Sequence, residues 1–242
     1  MLLNLSSLEK MLSSDPTLKV GCVVDTNVIF AHYYPLDYYN EWAESVFKTL
    51  HQLEIPIFTN LNVRSEFIEL SRRVLIPEGL VDFYEAATSP LADELEAALK
   101  SLRTRKKKAN DEERTFKLSD SEIKRFKDIF DSLPSSFEVS GWEAFCRDYF
   151  SPYILPIWDE AVKQSKVNFL GTREIESKQY FDKHPSWDDM MRIVASSGIG
   201  TSDAMIINLF LQSKIPIMIT ADKDVKQTLL KIASEGKLIL AP

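Results

Sequence analysis

The sequence predicts an α/β protein: a parallel sheet of four or five strands between helical layers (three-layer α/β/α), interrupted by a large helical insertion. Three observations predict it. Short, almost unbroken apolar runs at 20–24, 55–60 (IPIFTN) and 215–222 (IPIMITAD) each precede a helical pattern, the alternation that parallel strands and crossover helices produce. Between the second and third runs, the chain from about 77 to 190 favours helix formers and offers no convincing strand. Finally, only 7 glycines occur in 242 residues, and neither GxGxxG nor GxxxxGK[ST] is present, so dinucleotide and P-loop folds have no support.

Taken in order, the run at 20–24 is a buried first strand. Residues 41–53 place Trp42, Val46, Phe47, Leu50 and Leu53 on one helical stripe. A helix over 62–75 follows the second strand, and a helix over 201–212 leads into the third. KLILAP at the end of the sequence adds a further strand. Inside the insertion, 77–88, 90–107, 119–133 and 141–166 read as helices jointed by proline and serine, with Ser119 and Glu122 spaced as a capping box. The sheet needs strands from both sides of residues 77–190, so 1–242 is read as a single domain carrying that insertion.

Composition narrows the classes. No apolar run approaches the ~20 residues of a membrane-spanning helix. The first residues lack a basic start and include Glu9, unlike a signal peptide. Cys22 and Cys146 form no disulfide framework and suit a reducing compartment, so the expected location is cytoplasmic and no membrane partner is expected. With Lys+Arg 29 against Asp+Glu 36, the net charge is −7, which excludes a protein that coats nucleic acid by bulk electrostatics. A polyanion could still be engaged through divalent cations and a local basic patch. The segment RTRKKK (103–108) concentrates five positive charges. Arg105, Lys106 and Lys107 within it are candidates for binding phosphate; the alternative is a solvated helix end balanced by Asp111, Glu112 and Glu113.

Four acids fall where a parallel sheet binds ligands, beyond the carboxyl ends of its strands. Asp25 ends the first strand, Glu66 lies a helical turn past the second, Asp222 lies just past the third, and Asp203 opens the helix leading into that third strand. Each alone reads equally as a helix cap or surface acid. Together they form an oxygen-only cluster that cannot stay ionised without cations, and hard oxygen donors select Mg²⁺ or Mn²⁺. Two such ions suit in-line attack of water on a phosphodiester. His32, His51 and His184 lack zinc-ligand spacing. Trp42, Trp142, Trp158 and Trp187 read first as core packing and second as base-stacking surfaces. Trp187-Asp188-Asp189 reads as a helix start capped by Ser186.

The segments VVDTNVIF, SEF, GTSDAMIINLF and ITADKDV, which carry Asp25, Glu66, Asp203 and Asp222, resemble those of PIN-domain nucleases, found among bacterial toxins and RNA-processing enzymes. The resemblance covers residues 18–76 and 191–242. It implies a Mg²⁺- or Mn²⁺-dependent endoribonuclease with these four acids as catalytic metal ligands and RNA as substrate. It further implies that Asn27 orients Asp25 or the scissile phosphate and that Thr220 donates a hydrogen bond to a carboxylate or water, with Asp224 a further acid placed for an outer role. A toxin-type member would pair with an antitoxin or other protein partner, and homodimers are common in the family. The insertion departs from compact toxin-type members. Two alternatives stand beside this reading: a non-catalytic PIN-like module that binds RNA or protein, and a haloacid-dehalogenase-type phosphatase. The latter wants a second Asp as general acid where this chain has Asn27.

Overall fold

The structure, a computed structural model, describes residues 1–132, 141–171, 175–181, 183–233 and 236–242. In chain order its elements are β1 (Leu2–Leu3), α1 (Leu5–Ser14), β2 (Cys22–Val24), α2 (Thr26–Tyr33), α3 (Asn40–Gln52), β3 (Ile57–Thr59), α4 (Leu61–Ala86), α5 (Asp93–Asp111), α6 (Asp120–Ser132), α7 (Gly141–Phe145), α8 (Ser151–Ile154), α9 (Ile157–Ser165), β4 (Asn168–Phe169), α10 (Trp187–Ser197), α11 (Thr201–Gln212), β5 (Ile217–Ile219), α12 (Lys223–Ile232) and β6 (Leu238–Leu240).

All strand pairings are parallel, in the order β1-β6-β5-β2-β3-β4. The four three-residue strands β2, β3, β5 and β6 are buried at every position, which is why their sequences read as apolar runs rather than alternating ones. Gly21, just before β2, has φ 139°, and a Cβ there would lie 2.6 Å from the Phe58 ring and 2.7 Å from the Pro56 carbonyl. Only glycine allows that approach. From β2 the chain builds outward through β3 and β4 on one side; β5 and β6 lie on the other. The order therefore reverses between β2 and β5.

The sheet has six strands where the sequence predicts four or five. The extra pair, β1 and β4, are two-residue edge strands, too short to display any periodicity. β4 also falls inside 77–190, the stretch expected to be purely helical.

The chain gathers into two compact units, one of Met1–Pro35, Tyr39–Phe67 and Ala161–Pro242, the other of Leu36–Tyr38 and Ile68–Glu160. The first contains the whole sheet. The helical unit thus begins before residue 77 and ends before 190, and the reason lies in α4, which runs unbroken through Pro77. Proline has no N–H for the carbonyl four residues back and normally breaks a helix there. In this chain the freed Arg73 carbonyl accepts the Leu118 N–H at 3.0 Å, and Arg73 Nε donates to the Leu118 carbonyl at 2.9 Å. A partner distant in sequence satisfies what proline leaves open, and sequence reading cannot foresee it.

The second unit has its own core. Leu95, Leu99 and Leu102 of α5 meet Leu80 of α4, Phe126 and Phe130 of α6, and Phe145 of α7. Each such side chain contributes about 1.5–3 kcal/mol by leaving water. α6 starts with the expected capping box: Ser119 N–H donates to Glu122 Oε2 at 2.8 Å and Glu122 N–H to Ser119 Oγ at 3.3 Å. Among the described residues no single helix is long and apolar enough to cross a membrane.

Candidate active site

Register builds this site. β2 and β5 pair with Val24 opposite Ile219, and the Asp25 N–H donates to the Ile219 carbonyl at 2.9 Å. The residues that follow the two strands, Asp25 and Thr220, are consequently neighbours at the point where the strand order reverses, the position where open α/β sheets bind ligands. Thr220 is buried, and its Oγ1 donates to Asp25 Oδ2 at 2.6 Å. The other carboxylate oxygen, Oδ1, accepts the Thr26 N–H at 2.7 Å and caps α2.

Asp25 is only 2% exposed. A surface helix cap would stay in water and remain charged. Burial instead pushes the Asp25 pKa up to about 7; the hydrogen bonds from Thr220 and Thr26 oppose that rise, and the charges of Glu66 and Asp203 add to it.

Glu66 is half-buried in the second turn of α4 and accepts a hydrogen bond from Thr26 Oγ1 at 2.6 Å. Thr26 therefore links two acids, its N–H on Asp25 and its hydroxyl on Glu66. The sequence reading overlooks this residue, although its place between Asp25 and Asn27 was the available signal.

Asp203 stands third in α11, where a negative charge complements the helix dipole. Gly200 precedes the helix, and a Cβ there would lie 3.1 Å from Asp203 Oδ2, so glycine leaves the carboxylate room. Burial first, then the charges of Glu66, Asp222 and Asp224, raise its pKa to about 6, with nothing acting to lower it. Asp222 is half-buried and caps α12, its Oδ1 accepting from the Asp224 N–H at 2.7 Å and the Val225 N–H at 2.9 Å. Asp224 is exposed.

The donor set is oxygen only, and its acids repel one another with no compensating cation felt at Asp203. That chemistry fits Mg²⁺ or Mn²⁺. Among the described residues no group of three or more His, Cys, Asp or Glu side chains is already gathered as a metal cage.

The remaining candidates are placed as follows. Asn27, expected to orient Asp25 or a phosphate, accepts the Ala221 N–H on its Oδ1 at 3.1 Å, which ties α2 to the segment after β5. Arg105, Lys106 and Lys107 belong to α5 of the helical unit. Arg105 pairs with Glu122 at 2.6 Å and lies over the Phe116 ring, while Arg103 pairs with Glu85 at 3.2 Å and Lys108 with Glu112 at 3.8 Å. Lys107 is exposed, and Lys106 is half-buried near Glu78, whose pKa burial raises and the Lys106 charge partly offsets. His32 is a core residue stacked on Phe47 and 3.2 Å from Glu44. Trp142 packs against the apolar core of the helical unit and Trp158 is buried, whereas Trp187 is 66% exposed.

The helices bearing Glu66 and Asp203 also wall a cleft of about 860 Å³, lined in part by Asn60, Asn62, Trp187, Met205 and Asn208. Asn60 and Asn208 are further residues the sequence reading missed; a single polar residue beside a strand end or within a helix gives no signal on its own.

No protein-family model matches the chain, and no curated protein or solved structure matches it.

Proposed function

We propose that this protein is a metal-dependent endoribonuclease with a three-layer, PIN-like sheet domain. The observation that carries the reading is Asp25: a carboxylate buried at the strand-order reversal, its pKa raised to about 7 by burial and by the nearby charges of Glu66 and Asp203. A buried acid under like-charge pressure is costly without a function that uses it.

Asp25, Glu66, Asp203 and Asp222 would hold Mg²⁺ or Mn²⁺. Such ions, when bound, supply a nucleophilic water at neutral pH and stabilise charge on the phosphate. The chain's own contribution is to orient and to tune. Thr220 fixes Asp25 and Thr26 fixes Glu66, each through a 2.6 Å hydrogen bond. Asp203, its pKa raised to about 6 by burial and then by the charges of Glu66, Asp222 and Asp224, would be relieved of that repulsion by a bound cation. The acidic overall charge makes RNA binding dependent on that neutralisation and on local cations such as Lys106 and Lys107. An antitoxin or other protein partner, and a homodimer, are compatible with the same reading.

A second reading is a non-catalytic module that binds RNA or protein. The observation favouring it is that Asp25 and Asp222 both accept helix-capping hydrogen bonds. The deciding experiment is cleavage of defined single-stranded and structured RNAs with Mg²⁺ or Mn²⁺. The nuclease reading expects cleavage that chelator abolishes and that Asp203→Asn reduces at least about a hundredfold. A wild type that neither cuts RNA nor binds Mn²⁺ in calorimetry overturns the nuclease reading and favours the module.

A further inference from the structure

The cleft walled by α4, α10 and α11 also takes in the edge strand β4, whose Phe169 lines it. β4 ends the strand order and pairs with β3, Phe58 opposite Asn168 and Thr59 opposite Phe169. The Leu170 N–H donates to the Thr59 carbonyl at 2.7 Å. Main-chain groups alternate in direction along a parallel strand. Asn168 and Leu170 therefore turn theirs toward β3, and Phe169 turns its N–H and carbonyl the other way. Among the described residues nothing pairs with those two groups. An open edge of this kind is a template for a further strand.

The surface beside that edge is apolar. Trp187 is 66% exposed, Leu61 64% and Phe169 43%, and all three line the cleft. Large apolar side chains exposed together mark a surface that another molecule covers. Charge narrows the class of molecule. The chain carries −7 overall, yet among the described residues the cleft is lined by Lys178, His184 and no acid. A run of phosphates needs several cations, so a nucleic-acid strand is poorly matched to a single lysine. A mostly apolar chain with one negative charge for Lys178 is well matched. An extended peptide meets each requirement. Its main chain supplies an acceptor and a donor for Phe169, and its alternate side chains face the same way.

We propose that this cleft docks an extended segment of a partner protein, added as a strand along β4. One aromatic or aliphatic side chain of the segment packs against Trp187 and Leu61, and an acidic side chain meets Lys178. This partner site stands independently of the nuclease reading.

The test is selection from a displayed library of random octapeptides on the full chain, followed by fluorescence-anisotropy binding of the synthetic consensus peptide. The enriched sequences should carry apolar residues two apart and one Asp or Glu. Trp187→Ala, at an exposed site, should weaken the consensus peptide at least about tenfold, as truncation of a tryptophan anchor does. Phe169→Pro removes only the outward N–H, which an edge strand tolerates, and should weaken it about fivefold. N-methylating the peptide along its strand positions gives the same readout on the unaltered chain. Lys178→Glu should weaken the peptide, and replacing the peptide's acid by lysine should restore binding to that variant. Enrichment without the two-residue spacing, affinity unmoved by both Trp187→Ala and N-methylation, or no recovery in the charge exchange overturns the proposal. So does a short single-stranded RNA that Trp187→Ala weakens as much as the peptide, which would make the cleft a nucleic-acid site. A dimer of the chain that Trp187→Ala dissociates would seat a second copy there and overturns it equally.

Discussion

Thr220 Oγ1 donates to Asp25 Oδ2 at 2.6 Å, joining residues 195 positions apart at the ends of adjacent strands. The bond opposes the burial that raises the Asp25 pKa. Thr220→Val keeps the shape and deletes the donor, so the Asp25 pKa should climb further. Removing a hydrogen bond to a charged group costs about 1.5–3 kcal/mol. Mn²⁺ affinity at pH 7 should therefore fall at least about tenfold and partly recover at pH 8.5. Calorimetry at the two pH values checks this, and a decrease equal at both would point to a merely structural role for the hydroxyl.

The contribution of Asp25 to the stability of the metal-free chain should depend on pH in the sense opposite to ordinary acid unfolding. Asp25 has a folded pKa of about 7, against 3.8 for an aspartate free in water. Between those values the folded chain holds the proton and the unfolded chain has released it. The stabilisation is thus full below about pH 4 and gone once pH has risen through 7, amounting to ~4 kcal/mol by pH 8. The raised pKa of Asp203 acts in the same direction. In chelator, Asp25→Asn should be more stable than wild type at pH 8, with the difference shrinking or reversing at pH 5. Urea midpoints at the two pH values measure it. Mn²⁺ should raise the wild-type midpoint at pH 8 far more than at pH 5.

The basic run should divide into two kinds of residue. Arg105 bonds Glu122, and Glu122 also bonds Ser119 at the start of α6, so Arg105→Ala should lower stability by about 0.5–1 kcal/mol with little effect on RNA. Lys106→Ala with Lys107→Ala should flatten the salt dependence of RNA binding, by up to about 0.7 in log–log slope for each phosphate no longer neutralised. An unchanged slope would mean that these lysines only solvate a helix.

Ser119→Ala should cost about 1 kcal/mol, because it removes the hydroxyl that accepts the Glu122 N–H and donates to its carboxylate at 2.7 Å. Arg73→Met should cost a similar amount by freeing the Leu118 carbonyl from the Arg73 side chain. Thermal unfolding monitored by far-UV circular dichroism reads both.

Much of the fold is legible in the residues. β2, β3, β5 and β6 are apolar runs because parallel strands in this sheet are buried on both faces, and α6 begins where Ser119 and Glu122 announce it. β1 and β4 are not legible, since two residues carry no period. The division near residues 68 and 160 is hidden too, because a proline that ought to end α4 is accommodated by Leu118 from elsewhere in the chain.

The candidate site divides in the same way. Sequence determined the kinds of atom available and their order along the chain: acids after or beside the strands, no histidine or cysteine among them, and apolar runs for the strands themselves. Tertiary structure decided which of those acids feel one another and how strongly. Asp25 has its raised pKa because it is 2% exposed and near the charges of Glu66 and Asp203, while Asp222 is half-buried and engaged in capping α12. It also assigned Thr26 to two carboxylates, set the Asn27 side-chain oxygen on the Ala221 N–H, and left Asn60 and Asn208 each with a group that has no partner among the described residues. Desolvation and hydrogen bonding depend on what surrounds an atom in space, and residues up to 195 positions away set those surroundings; pattern along a chain records only what is local.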